Sequence, residues 1–291
     1  MSSLIIARLA RPISNYRYSQ TMAEGQAGQS VGRASGFTLV FSGIVNSLVF
    51  VGECTTLLGD ALFRLFRRPL EFKETISQMA FIGVASVPIV ALTTFASGAV
   101  LSLYSAELLV RYGATSLAGA AVGLAVTREI APVLAGIMVA ARAGSAMAAQ
   151  IGSMAVTEQV DALRSLNVHP TNYLVIPRLV AAVTMLPVLA LFGVYSGVLG
   201  GYVVSVYRAG VSDGSFWQSI RQFVEPSDFV NGMLKTVVFG LIVALVACQQ
   251  GLRTKGGAVG VGKATTHTVV ISMVLIYVMN YFLTALMFGA K

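Results

Sequence analysis

The stretch LAGAAVGLAVTREIAPVLAGIMVAA, Leu117–Ala141, decides the kind of protein this is. Only two of its residues are charged, Arg128 and Glu129, and they stand next to each other in its middle. Roughly 18 or more largely apolar residues in a row are enough to cross the hydrocarbon core of a bilayer. Four other stretches reach that length: Phe81–Tyr104, Ile176–Val206, Asn231–Leu252 and Val269–Phe288. Ile176–Val206 is long enough that it must tilt or protrude. The whole chain agrees, with 56 % hydrophobic and 11 % charged residues, where a soluble domain carries about 25 % charged. The reading is an all-α integral membrane protein with one membrane domain.

The segments around the spans are more polar. Residues 1–36 lack the apolar core of a cleaved signal peptide and read as a disordered cytoplasmic tail. In Phe37–Arg68, the residues Asn46, Glu53, Asp60 and Arg67 recur every seven positions, with Thr56 and Arg64 beside them. On a helix they form one polar stripe, which suits an amphipathic helix, 37–68, lying in the membrane interface and stopped by Pro69. A sixth, imperfect span is the rival reading. The membrane domain is then 37–291.

The net charge of +8 comes from 20 Lys and Arg against 12 Asp and Glu, scattered along the chain. Scatter within an apolar chain points to anionic lipid and topology, not to nucleic acid. Eight basic residues precede the first span, three (Arg142, Arg164, Arg178) follow the second, and three (Arg253, Lys255, Lys263) follow the fourth, fourteen in all. The opposite side holds Arg111, Arg208, Arg221 and Lys291. The excess places the N-terminus inside and the C-terminus outside. Cys54 and Cys248, like His169 and His267, lack the spacing of a disulfide or metal site, and no metal is expected.

Arg128 and Glu129 are the most unusual local feature. A charge deep in a span costs several kcal/mol unless it faces protein or water. Neighbours on a helix point about 100° apart, so each needs its own partner. Pro132 also deprives the Arg128 carbonyl of its usual donor. Lys235, one turn into the fourth span, is the other embedded basic residue and brings this set to +1, suited to a phosphate-bearing ligand. A buried ion-pair network that merely fixes packing is the alternative, and Lys235 could instead snorkel to headgroups.

Three further features stand out. Thr157, Glu158, Gln159, Val160, Asp161, Ala162, Leu163, Arg164, Ser165 and Leu166 make a short amphipathic cytoplasmic helix ended by Asn167 and Pro170, placed to seat in a partner's groove or simply to cover the surface. Gly193, Gly197 and Gly201 form a doubled GxxxG for close helix packing, within the chain or between subunits, and Gly119 and Gly123 repeat the spacing. Gly257–Lys263 matches the start of a phosphate-binding loop, but Ala264 replaces the magnesium-holding Ser or Thr and no strand precedes it, so it reads as a flexible cytoplasmic loop.

Several strings together resemble the MlaE/YrbE family of permeases of ABC-type lipid transporters. They are Thr127–Val133 (TREIAPV), Ala141–Ser145 (ARAGS), Thr157–Leu163 (TEQVDAL), Pro177–Arg178, Gly256–Thr266 (GGAVGVGKATT) and the closing Phe282–Phe288 (FLTALMF). They run in order from about Pro69 to the end. Asn280 departs from the Asp of many members, and His267 from the Arg of some. The resemblance implies a homodimer with an interfacial helix and five spans per chain, a separate cytoplasmic ABC ATPase carrying ATP and Mg, and an MCE-domain protein on the outer side. It implies that phospholipid or related lipid moves between membranes. It places the ATPase-coupling helix on Thr157–Leu166 and the polar lipid pocket on Arg128, Glu129 and Lys235.

No catalytic constellation is present in the sequence, which points to a permease in a bacterial inner membrane or a plastid inner envelope, with no cofactor of its own. A membrane scaffold or lipid-modifying enzyme subunit is the alternative of a different class. An ion-coupled carrier is disfavoured because no inverted repeat is evident. The topology is testable with single cysteines at Lys263 and Lys291 in a background lacking Cys54 and Cys248. A membrane-impermeant maleimide on intact cells should label position 291 and spare 263; the reverse would invert the topology.

Overall fold

The computed structural model describes residues 36–65 and 71–288, with backbone alone for 36–44, 46 and 47. The tail expected at 1–36, apart from Gly36, lies outside the described residues, as do Arg67, Pro69, Lys291 and the side chain of Asn46. All regular structure among the described residues is helical, and five helical segments are long and apolar enough to cross a membrane.

Before them comes α1, Gly36–Leu65, which is not one of the five. Its part from Glu53 onward packs Ala61 and Leu57 against Ile151, Val175, Ile176 and Cys248, while Leu62 and Phe63 stay exposed. Three residues of the polar stripe, Glu53, Asp60 and Arg64, also have partners in the protein. Glu53 Oε2 accepts from Gln249 Nε2 at 2.7 Å and pairs with Arg253 at 3.2 Å. Asp60 pairs with Arg64, whose guanidinium meets His169 Nε2 at 2.9 Å. A surface helix on a soluble protein is oriented the other way, charges outward.

The first span is interrupted. α2, Phe72–Ile82, and α3, Val87–Arg111, are joined by a tight turn at Val84–Ser86, with Pro88 in the first turn of α3. Arg142 secures the break: Nη1 donates to the Phe81 carbonyl and to Ser86 Oγ, both at 3.0 Å. A cation suits those carbonyls, because they form the negative end of α2.

The second span contains α4 (Ala118–Ala125), α5 (Ala131–Val139) and α6 (Ser145–Val156), separated by π-helical turns at Val126–Ile130 and Ala140–Gly144. It runs well past Ala141, where the sequence reading ended it. Pro132 cannot donate an N–H, and the π turn lies just before it; there Ala131 N donates five residues back, to the Val126 carbonyl.

A short α7, Gln159–Ser165, leads by a π turn at Thr171–Val175 into α8, Ile176–Tyr207. Its 32 residues span about 48 Å, well beyond a hydrocarbon core of ~30 Å. α9, Asp213–Phe223, is a helix where only a loop was expected. α10 is Pro226–Leu252 and α11 is Gly257–Phe288. The glycine-rich string read as a flexible loop is therefore the first turns of α11. Gly256 and Gly257 make the corner at φ 84° and 67°, and the remaining residues of the string are helical.

The doubled GxxxG packs inside the chain. A Cβ on Gly98 of α3 would run into the Gly197 carbonyl of α8, and one on Gly200 into the Phe95 carbonyl. Gly193 faces Ala131 and Thr94, and Gly201 faces Val122. Thr94–Ser196 at 2.6 Å and Ser102–Ser205 at 2.7 Å tie the same two helices across hydroxyls. Small residues let the backbones approach where no water competes for hydrogen bonds. Gly98→Ala should therefore cost about 1–3 kcal/mol through overpacking, seen as a lower melting temperature of the purified protein. Gly59→Ala, with nothing within 4 Å of the new methyl, should leave it unchanged. Equal melting temperatures for the two variants would refute this packing.

Candidate functional site

The π turn at Val126–Ile130 presents Arg128 and Glu129, and each has a partner on a different helix. Arg128 Nη2 pairs with Asp228 Oδ1 at 2.8 Å, and Glu129 Oε1 accepts from Lys235 Nζ at 2.8 Å. α10 supplies both partners. Asp228 lies in its first turn, where its other oxygen accepts from the Glu225 N–H at 3.2 Å in a capping box. Lys235 lies seven residues on, two turns along the same face.

α11 closes the site. Asn280 Nδ2 donates to Glu129 Oε2 at 2.7 Å, and Thr284 Oγ1 donates to Glu129 Oε1 at 2.9 Å. The Lys235 ammonium also lies 2.7 Å from Thr284 Oγ1, 3.3 Å from Asn280 Oδ1 and 2.9 Å from the Arg128 carbonyl. That carbonyl is the one Pro132 leaves without its usual donor. Phe288, the last residue of α11, lies under both cations, 4.8 Å from the Arg128 guanidinium and 5.1 Å from Lys235 Nζ. Such contacts favour a cation when desolvated.

Several consequences follow from this geometry. Lys235 is fully buried and does not snorkel. Its three N–H groups face four acceptors, so none remains for a ligand. With Asp228 included, two positive and two negative groups face one another, and the set is neutral where the sequence suggested +1. Arg128 and Glu129 are the groups left open, with about a third of each side chain exposed (32 % and 38 %). The network also sits at the ends of two helices, since Asp228 begins α10 and Phe288 ends α11, rather than midway along all of them.

The sequence brings Arg128, Glu129 and Lys235 to one place but not Asp228, which precedes the apolar run beginning at Asn231. The signal was there: Asp228 and Lys235 are two turns apart, matching adjacent opposite charges on the second span. Thr284 carried no signal of its own, and its place becomes evident only beside Asn280, one turn away.

At the other end of the molecule, the expected helix over Thr157–Leu166 is regular only from Gln159 to Ser165. Thr157 ends α6, and Glu158 takes φ 60° between the two helices. Val160 is buried, Asp161 and Leu163 are half-buried, and Ala162 and Leu166 are exposed. Asn167, at φ 59°, ends the helix: its N–H donates to the Arg164 carbonyl, and that of Val168 to the Leu163 carbonyl. This is a Schellman cap with Asn in the place usual for Gly. Among the described residues no three His, Cys, Asp or Glu side chains could share a metal ion.

The profile of the family described as Permease MlaE matches residues 75–286. The chain belongs to the MlaE permease family. A "Probable ABC transporter permease protein" of Rickettsia bellii is 46 % identical over 238 residues, 82 % of this chain and 92 % of the relative. The "Intermembrane phospholipid transport system permease protein MlaE" of Haemophilus influenzae is 36 % identical over 241 residues, 80 % of this chain and 92 % of that one. The chloroplastic protein Trigalactosyldiacylglycerol 1 of Arabidopsis thaliana is 34 % identical over 232 residues, 80 % and 66 % of the two chains. With its five apolar helices, this member of the MlaE family is an integral membrane protein.

Neutralising Asp228 tests the network. Asp228→Asn leaves the Arg128 guanidinium without its counter-charge and should lower stability by roughly 1–3 kcal/mol, read as a fall in melting temperature. Glu107→Gln, at an exposed pair 3.9 Å from Arg208, should have no measurable effect. If Asp228→Asn melts like the wild type, the pair is not holding the site.

Proposed function

We propose that this MlaE-family protein is the membrane-spanning subunit of an ATP-driven transporter that moves phospholipid or a related lipid between membranes. Two copies form the permease. A separate cytoplasmic ABC ATPase supplies the energy and holds the ATP and Mg; this chain needs no cofactor. An MCE-domain protein on the outer side exchanges lipid with it. Family membership supports the reading, as does the naming of one relative for phospholipid transport and of another as an ABC transporter permease. Relatives in bacteria and a chloroplast fit a bacterial inner membrane, with the plastid inner envelope as the second setting.

The observation that carries the proposal is the half-open charge network within the span. A closed structural ion pair would bury both partners, yet here Lys235 is buried and saturated while Arg128 and Glu129 keep about a third of their surface open. Arg128 is the group for a lipid phosphate, and Lys235 fixes Glu129 beside it. Intramembrane ionisable groups of this kind mark substrate paths.

Coupling falls to α7 and its flanks, Thr157–Leu166. Leu166 is 73 % exposed and Leu163 half-buried, so Leu166 offers the cleaner docking side chain. Two variants separate transport from assembly. Glu129→Gln keeps the shape and the hydrogen bond from Lys235, so the protein should accumulate and bind its ATPase, while lipid co-purification and transport fall. Leu166→Glu should insert normally and lose the ATPase in pull-down. A Glu129→Gln protein transporting at the wild-type rate, or a Leu166→Glu protein retaining its ATPase, would contradict the corresponding half of the proposal.

A further inference from the structure

α9 is not accounted for by transport or coupling. Five residues separate it from the end of α8, and two separate it from the start of α10, so it stays close to the ends of those two spans. It also descends along the second span. A Cβ on Gly119, in the first turn of α4, would strike the Phe216 carbonyl and Ser219; one on Gly123, a turn deeper, would meet Ile220 and Val224. Ser219 Oγ accepts the Ala120 N–H at 3.1 Å, which fixes the depth. α10 then begins beside the π turn, with Asp228 on Arg128 and Gly232 against the Thr127 carbonyl.

The chain therefore turns from α9 into α10 at a level one to two turns, about 6–12 Å, below the first turn of α4. Both ends of the helix are capped in part. Ser212 caps its start by accepting the Ser215 N–H, and Val224 N donates to the Ile220 carbonyl at its end. One flank packs Phe216 and Ser219 into the protein. The next flank bears Trp217 and, one turn on, Arg221, both exposed. The indole leans on Tyr202 of α8, with ring centres 5.5 Å apart, and on Phe216 at 5.6 Å.

We infer that α9 is a re-entrant helix of this leaflet, the outer one on the topology the charge count predicts, and that its Trp217–Arg221 flank docks the bilayer's own phospholipid headgroups. The indole has an apolar body and a polar N–H, which suits the headgroup boundary. Arg221, a turn away, offers a planar donor fork for a lipid phosphate. Gly119 and Gly123 hold this flank against the start of the second span, within reach of the headgroups of this leaflet. The inference holds whatever the permease carries.

Trp217 is the sole tryptophan in the chain, so the wild-type protein reports on this site directly. The full-length protein is reconstituted in phosphatidylcholine–phosphatidylglycerol vesicles containing lipids brominated near the headgroup or deep in the chains. Emission is excited at the red edge, where tyrosine does not absorb. Headgroup-proximal bromine should quench more strongly than deep bromine, and more strongly on phosphatidylglycerol than on phosphatidylcholine. Arg221→Gln should abolish that headgroup preference while leaving the depth profile unchanged. If no lipid-borne bromine quenches, a second copy, a protein partner or water covers the flank and the inference falls. Stronger deep quenching would overturn the placement, and a headgroup preference that survives Arg221→Gln would overturn the role of the guanidinium.

Discussion

A charge in hydrocarbon needs a partner within the protein, and a broken helix there needs a donor for its orphaned carbonyls. Lys235 meets both requirements at once. Its ammonium binds the Glu129 carboxylate and the Arg128 carbonyl of the second span, and Asn280 and Thr284 of α11. The second, fourth and fifth spans converge on one fully buried nitrogen. Arg128 and Glu129 can point differently and stay partly open because this nitrogen holds the backbone between them.

Other buried or half-buried arginines act on the backbone in the same way. Arg142 donates to the Phe81 carbonyl where the first span breaks. Arg178, which is buried, donates to the Leu174 carbonyl within the π turn that leads into α8, and reaches Gln150 at 3.3 Å. Neither has a carboxylate partner among the described residues. Each supplies a donor where an apolar helix departs from regularity, Arg142 on a neighbouring span and Arg178 in the turn before its own helix. Irregular backbone inside a membrane protein is tolerated on these terms, and it brings side chains to bear that a straight helix would scatter around its circumference.

The five spans were legible because length and apolarity report directly on hydrocarbon thickness, and Leu117–Ala141 alone shows that. Their extents were not. α6, the start of α11 and the whole of α9 lie where glycine or polar residues interrupt the apolar run, although packing on Gly119 and Gly123 holds α9 in place. Lys235 could be read as embedded, because it lies within an apolar run. Asp228 could not, because it stands before the run starts, next to Pro226 and Glu225, and looks like part of a loop. α1 shows a further limit. Its heptad stripe was plain in the sequence, but periodicity does not say whether a polar face meets water or protein, and Glu53 turns out to hold Gln249 and Arg253.

The central claim is that Lys235 and Glu129 act as one unit, and a double-mutant cycle on stability tests it most directly. Lys235→Met, Glu129→Gln and the double variant would be purified and unfolded under the same conditions. Lys235→Met leaves the half-exposed Glu129 carboxylate without its cation, and Glu129→Gln leaves the Lys235 ammonium hydrogen-bonded but without its counter-charge, whereas the double variant removes the charge from both. The cost of Lys235→Met should therefore be clearly smaller in the Glu129→Gln background, with a coupling energy of at least ~1 kcal/mol. Costs that add to within ~0.5 kcal/mol would show the two residues acting independently, and the account of this site would fail.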